Sequence, residues 1–138
     1  MKQNNHIKIK IGLAGEDIAC KYLVDKGYKI IERNFRNKIG ELDIVCKYNS
    51  DQEIDNNGQN TSKIVFVEVK TLTPNKTGLN PEENVTFFKQ KKLIRTCKLF
   101  LATNRIDLDS EWQIDVVSIF LDPEKKKARI RHTQNAVY

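Results

Sequence analysis

The chain has 138 residues, 39% hydrophobic and 30% charged, enough for one core and too apolar for a chain disordered throughout. Lys and Arg number 24 against 18 Asp and Glu, and the formal net charge of +6 suits a polyanionic partner such as nucleic acid. No apolar run approaches the roughly 20 residues a membrane-spanning helix needs, so no membrane partner is expected.

The chain opens on MKQNNHIKIKIG, charged and without an apolar h-region, so no signal peptide is visible. Ile11, Ala14 with Gly15, Ile18 with Ala19, and Tyr22 with Leu23 recur at helical spacing and predict a first helix over 11–26. Gly27 stands where a C′ glycine would stop it. Residues 28–35 are rich in β-formers and predict a strand, and Asn37-Lys38-Ile39-Gly40 supplies turn chemistry. A second strand over 41–48 is expected to carry Leu42, Ile44, Cys46 and Tyr48 on one face, with Glu41, Asp43 and Val45 on the other. The stretch 49–62 is almost all polar and reads as a mobile hairpin loop inside one domain spanning 1–138.

The third strand, over 63–71, is apolar on both faces, as in a central strand covered on both sides. Pro74 and Gly78 break the chain after it. A second helix ends near Asn104, starting either after Asn80, with Pro81 and Glu83 as a capping pattern, or later with Thr86 as N-cap. Ile94, Cys97 and Leu101 form its buried stripe, and Lys89, Lys91, Lys92, Arg95 and Lys98 crowd the rest. A fourth strand over 112–121 and a short basic strand around 128–133 complete a mixed α/β domain, a sheet flanked by helices. The cysteines, Cys20, Cys46 and Cys97, are odd in number and form no C-x-x-C pair, so a reducing cytoplasm and buried thiols are expected.

Three charges stand where charge is costly. Glu68 and Lys70 project from the same strand face as Ile64 and Phe66, and ions on a covered face cost several kcal/mol each unless paired or bound. Asp43 lies between Leu42 and Ile44 on the preceding strand. If the two strands form an antiparallel hairpin, the three residues converge on one side of the sheet. Two carboxylates supply hard oxygen ligands for Mg²⁺, and a neighbouring lysine can handle the attacking water or neutralise developing charge. The competing reading is a Glu68–Lys70 ion pair at a strand end, with Asp43 a loop-proximal surface residue.

Asp followed by Glu-x-Lys resembles the motif of the restriction-endonuclease-like, PD-(D/E)xK nuclease superfamily, and the element order resembles its αβββαβ core. The closer resemblance is to the YraN-like family of small proteins, related to archaeal Holliday-junction resolvases. It covers nearly the whole chain, through Gly15-Glu16 and Ala19, Arg33-Asn34-Phe35-Arg36, Gly40-Glu41-Leu42-Asp43-Ile44-Val45 and Phe66-Val67-Glu68-Val69-Lys70-Thr71. It continues through Val85, Lys89, Lys92-Leu93, Asp115-Val116-Val117, His132 and Asn135-Ala136. The resemblance implies metal-binding acids at Asp43 and Glu68, a catalytic lysine at Lys70, and a helix-borne glutamate, Glu16, that completes a Mg²⁺ or Mn²⁺ site. Two departures stand out: Leu72 where many relatives carry Arg, and the long polar stretch after residue 48.

Other candidates stay open. Glu41 is either a further metal ligand or a turn residue paired with Arg36 or Lys38. Arg36, Lys89 and Lys92 are the nucleic-acid-binding candidates, although a lysine-rich helix face is also an ordinary solvated surface. Asp115 reads as structural, paired with a basic side chain, and His6 and His132 lack zinc spacing. No phosphate-loop, dinucleotide-binding or Ser-His-Asp pattern is present. The leading expectation is a cytoplasmic Mg²⁺- or Mn²⁺-dependent endonuclease on structured or branched DNA. The alternatives are a non-catalytic nucleic-acid-binding protein that keeps the fold, or a subunit of a protein assembly. Resolvase relatives act as dimers, so a homodimer is among the implied assemblies.

Overall fold

The computed structural model describes residues 2–54, 56–58, 60–73, 87–106, 110–122 and 124–137. Pro74, Gly78, Pro81, Glu83, Val85, Thr86 and the His6 side chain, singled out above, lie outside what is described. The elements run α1 (Lys2–Asp25), β1 (Tyr28–Arg36), β2 (Glu41–Ile54), β3 (Asn60–Leu72), α2 (Phe87–Thr103), β4 (Trp112–Asp122) and β5 (Lys127–Val137). This is the expected mixed α/β order, with β5 longer than its basic centre suggested. Gly27 ends α1 at φ 96°, a backbone conformation in which glycine meets no Cβ penalty.

The five strands form one sheet in the order β1-β2-β3-β4-β5. Neighbours are antiparallel except β3 and β4, which pair in parallel because α2 carries the chain back between them. One core cluster sets Ala19 and Leu23 of α1 against Ile44, Cys46, Val65, Val67, Val117 and Ile119. The other sets Cys97, Phe100 and Leu101 of α2 against Leu42, Val45, Ile64, Phe66 and Ile114. The helices therefore cover opposite faces, and β3 is apolar on both because both are buried. Among the described residues no helix is long and apolar enough to cross a membrane.

Two expectations are corrected. The polar stretch 49–62 is not a loop throughout: β2 continues to Ile54 and β3 begins at Asn60, with register irregular between Ser50 and Ile54. Backbone hydrogen bonds build such a ribbon without any apolar face, which is why composition does not reveal it. The predicted faces of β2 are also wrong at one point, since Leu42 packs on the α2 side and Ile44 on the α1 side. Their partners on β1 change sides with them: Arg33, opposite Ile44, reaches α1, while Phe35, opposite Leu42, packs on Phe100 of α2 at 5.0 Å between ring centroids. Between them Asn34 has φ 54°. One left-handed residue rotates the strand, and strict alternation fails there.

Candidate active site

The site begins where β2 leaves β3. Their register runs no further towards the start of β2 than Ile44 opposite Val67, while β3 continues to Leu72 against β4. The Val69 N–H, left without a β2 carbonyl, donates to Oδ2 of Asp43 at 2.8 Å. Asp43 is thereby drawn into the fork between the strands and is not a surface residue. Burial first, and then the charge of Glu68, push its carboxyl up to about 6. The Val69 hydrogen bond opposes the rise, Glu16 adds to it, and Lys70 weakly opposes it.

Glu68 and Lys70 stand two apart on β3, and Lys70 Nζ lies 3.4 Å from Glu68 Oε1, both side chains roughly three-tenths exposed. Their ion pair is therefore made, but beside the half-buried carboxyl of Asp43. Glu16 approaches from α1. A Cβ on Gly15 would collide with the Thr71 side chain, so glycine there lets α1 sit close against β3. The Glu16 side chain is 12% exposed, 3.7 Å from Arg33 Nε, and its buried Oε1 has no hydrogen-bond partner. Glu41, by contrast, is exposed and pairs with Arg36 at 3.1 Å across the β1–β2 turn.

A cleft of about 400 Å³ opens beside Glu68 and Lys70. Its lining gathers five cationic side chains, Arg36, Lys38, Lys70, Lys89 and Lys92, against the two carboxylates Glu41 and Glu68. One wall is the β1–β2 turn, closed by Asn37 Oδ1 accepting from the N–H groups of Ile39 and Gly40 at 2.9 and 3.0 Å. Asn37 Nδ2 then donates to Thr96 O, tying the turn to α2, which forms the other wall. By sequence Asn37 is a turn residue, and Lys38 is a turn residue offered only as one of two partners for Glu41. The signal is present in the cations at 36 and 38 that the turn holds apart, but its facing helix is not.

Among the described residues no group of three or more His, Cys, Asp or Glu side chains forms a ready metal cage. The four acids named from the sequence are thus not gathered together: Asp43 and Glu68 act on each other, Glu16 adds charge from α1, and Glu41 belongs to the turn. Mg²⁺ commonly takes only one or two carboxylates and fills its shell with water and phosphate oxygens, so Asp43 and Glu68 fit such an ion. Among the described residues, the Oε1 of Glu16 has no hydrogen-bond partner and only the Arg33 guanidinium, at 3.7 Å, against its charge.

A second buried polar group lies on the α1 face. Asp115, fully buried, accepts from Gln113 Nε2 at 2.7 Å and from the Asn135 N–H at 2.9 Å, and lies 2.7 Å from His132 Nε2. His132 Nδ1 is 3.2 Å from the Tyr22 hydroxyl. This is the structural role expected for Asp115, with His132 as its partner. Cys46 and Cys97 are buried and Cys20 partly so, and burial pushes all three thiols up, Cys46 to about 12. Such thiols are poor nucleophiles.

Fold and site together define a class: an α/β protein whose acid–lysine group sits where two strands part, at the edge of a cationic cleft. The chain belongs to the uncharacterised protein family UPF0102, whose pattern matches residues 15–119. It is similar to the UPF0102 protein of Caldanaerobacter subterraneus subsp. tengcongensis, 38% identical over 137 residues and 99% of each chain. It is 44% identical over 128 residues to the UPF0102 protein of Syntrophomonas wolfei, covering 92% of this chain and 96% of that one. The UPF0102 protein of Alkaliphilus oremlandii is 38% identical over 129 residues, 92% of this chain and 97% of its own.

Proposed function

We propose that this protein is a divalent-metal-dependent endonuclease of the restriction-endonuclease-like class, acting on structured or branched DNA. The observation that carries the reading is Asp43, held in the strand fork by the Val69 N–H with its carboxyl raised by burial and by Glu68, beside Lys70 and a cationic cleft. A carboxyl perturbed by burial and by a specific charged neighbour, beside a cleft, marks a candidate functional site.

In this reading Asp43 and Glu68 hold one Mg²⁺ or Mn²⁺. The ion, when bound, neutralises phosphate charge and polarises the phosphorus–oxygen bonds. Asp43 is ionised above about pH 6 and then carries the charge a hard cation needs. Lys70 donates hydrogen bonds to the attacking water or to the phosphate oxygen on which charge builds. Glu16 deepens the negative potential at the ion. Arg36, Lys38, Lys89 and Lys92 hold neighbouring phosphates, a contact that is independent of base sequence. The test is cleavage of branched, flapped, single-stranded and linear DNA with Mg²⁺ or Mn²⁺, against a chelator control. Metal-dependent cutting of one of these supports the reading, and no cutting of any substrate rejects it.

A second reading has its own support. Lys70 already has Glu68 as a partner, and the described acids do not form a cage of three. Both observations suit a non-catalytic nucleic-acid-binding protein that keeps the cleft. Salt-dependent DNA binding without turnover would select it.

A further inference from the structure

Phe87 and Phe88 open α2 with 65% and 81% of their surfaces exposed, while Phe66 and Phe100 are almost wholly buried. Exposed phenylalanine forfeits the burial that usually holds an aromatic ring in place, so two together need a reason. Their ring centroids are 6.3 Å apart at 70°, and Lys91 Nζ sits 4.5 Å from the Phe87 centroid. Phe88 lines a shallow depression of about 520 Å³ with Ile39, Lys91, Lys92 and Arg95. That depression contains three cations and no carboxylate, and it shares Ile39 and Lys92 with the cleft beside Lys70.

We propose that Phe87 and Phe88 form a stacking platform for unpaired nucleobases, continuous with the cationic cleft. A flat ring in a cationic surround matches a base on its sugar-phosphate chain, because the base stacks while Lys92 and Arg95 neutralise phosphate. Bases inside a duplex are already stacked and gain nothing from Phe88. The platform therefore selects single strands, flaps or splayed junction arms. This rests on the reading that phosphates occupy the cleft, and it names the part of the substrate that the cleft alone does not.

The test compares a labelled oligo(dT) with a hairpin-capped duplex of equal length, by fluorescence anisotropy at one salt concentration. The doubly substituted Phe87→Ala, Phe88→Ala protein should bind oligo(dT) about fivefold or more weakly than wild type and the duplex equally well. Phe88→Trp should keep the single-strand affinity and show fluorescence quenching on oligo(dT), beyond any change from Trp112 in the wild type. Unchanged oligo(dT) affinity in the alanine protein overturns the platform and leaves the cleft reading standing, provided the duplex still binds with a salt slope. Failure of wild type to bind either nucleic acid overturns both. Binding to phosphatidylserine vesicles that only the alanine protein loses, or a dimer that only it fails to form, with oligo(dT) affinity unaltered, assigns the patch to a lipid surface or to a second copy and overturns the platform.

Discussion

The Val69 N–H and the Asp43 carboxylate, 2.8 Å apart, replace a backbone hydrogen bond that β2 would otherwise supply to β3. A side chain used as a strand partner is pinned in position, and here it is a carboxylate that feels the charges of Glu68, Glu16 and Lys70. Its raised pKa is the consequence of burial first and of the Glu68 charge second.

That consequence has a sign. The folded protein holds the Asp43 proton more tightly than the unfolded chain does, so this group's contribution is most favourable below about pH 4 and is lost as pH rises towards 6. The rise corresponds to about 3 kcal/mol at most. Asp43→Asn keeps an acceptor for Val69 and removes the charge. It should raise stability at neutral pH and flatten the dependence between about pH 4 and 6, as read by denaturant unfolding. Mg²⁺ should raise the Tm of the wild type at neutral pH and leave the variant unmoved. A variant less stable than wild type at neutral pH would contradict the burial argument.

Lys70→Ala should leave the fold and DNA affinity nearly intact, because it removes one of 24 Lys and Arg side chains. Metal-dependent cleavage should fall by roughly 10²–10⁴-fold, the usual contribution of a positioned proton-handling group. Equal cutting by wild type and variant would assign the activity to a contaminating nuclease.

Lys89 and Lys92 share the cleft with Lys70, on the α2 wall. Replacing both by Ala should weaken DNA binding for all sequences alike and shrink the salt dependence, by about 0.9 in d log K/d log[salt] for each phosphate no longer neutralised. Anisotropy titrations over a range of KCl concentrations measure the slope. An unchanged slope would place the phosphates elsewhere.

Asp115→Ala addresses structure, not chemistry. It leaves the Gln113 amide, the Asn135 N–H and His132 without their shared acceptor in a fully buried site. The expected loss is about 3 kcal/mol or more in unfolding free energy. Cleavage per folded molecule should be unaltered, since Asp115 lies on the α1 face and the cleft opens on the α2 face.

Element order is legible because it is written in local pattern, a period of 3.6 residues for α1 and α2 and short unbroken apolar runs for β3 and β4. Glu68 and Lys70 are legible for the same reason, as charges on the strand face that Ile64 and Phe66 mark as covered. The extended β2–β3 ribbon is not, because its strands are held by main-chain bonds that polar residues make as well as apolar ones. Nor is the exchange of faces between Leu42 and Ile44, which lies opposite a left-handed residue, Asn34, on a different strand.

Sequence alone therefore determined which residues are anomalous: an acid between Leu42 and Ile44, and an acid and a lysine that follow the apolar run from Ile64 to Val67. Tertiary structure decided what each anomaly faces. Asp43 meets Val69 across 26 positions of chain, and the Asn37 turn meets Thr96 across 59. Those meetings depend on where β2 parts from β3 and on α2 lying across the turn. Both are settled by the packing of the whole core, which local periodicity does not encode.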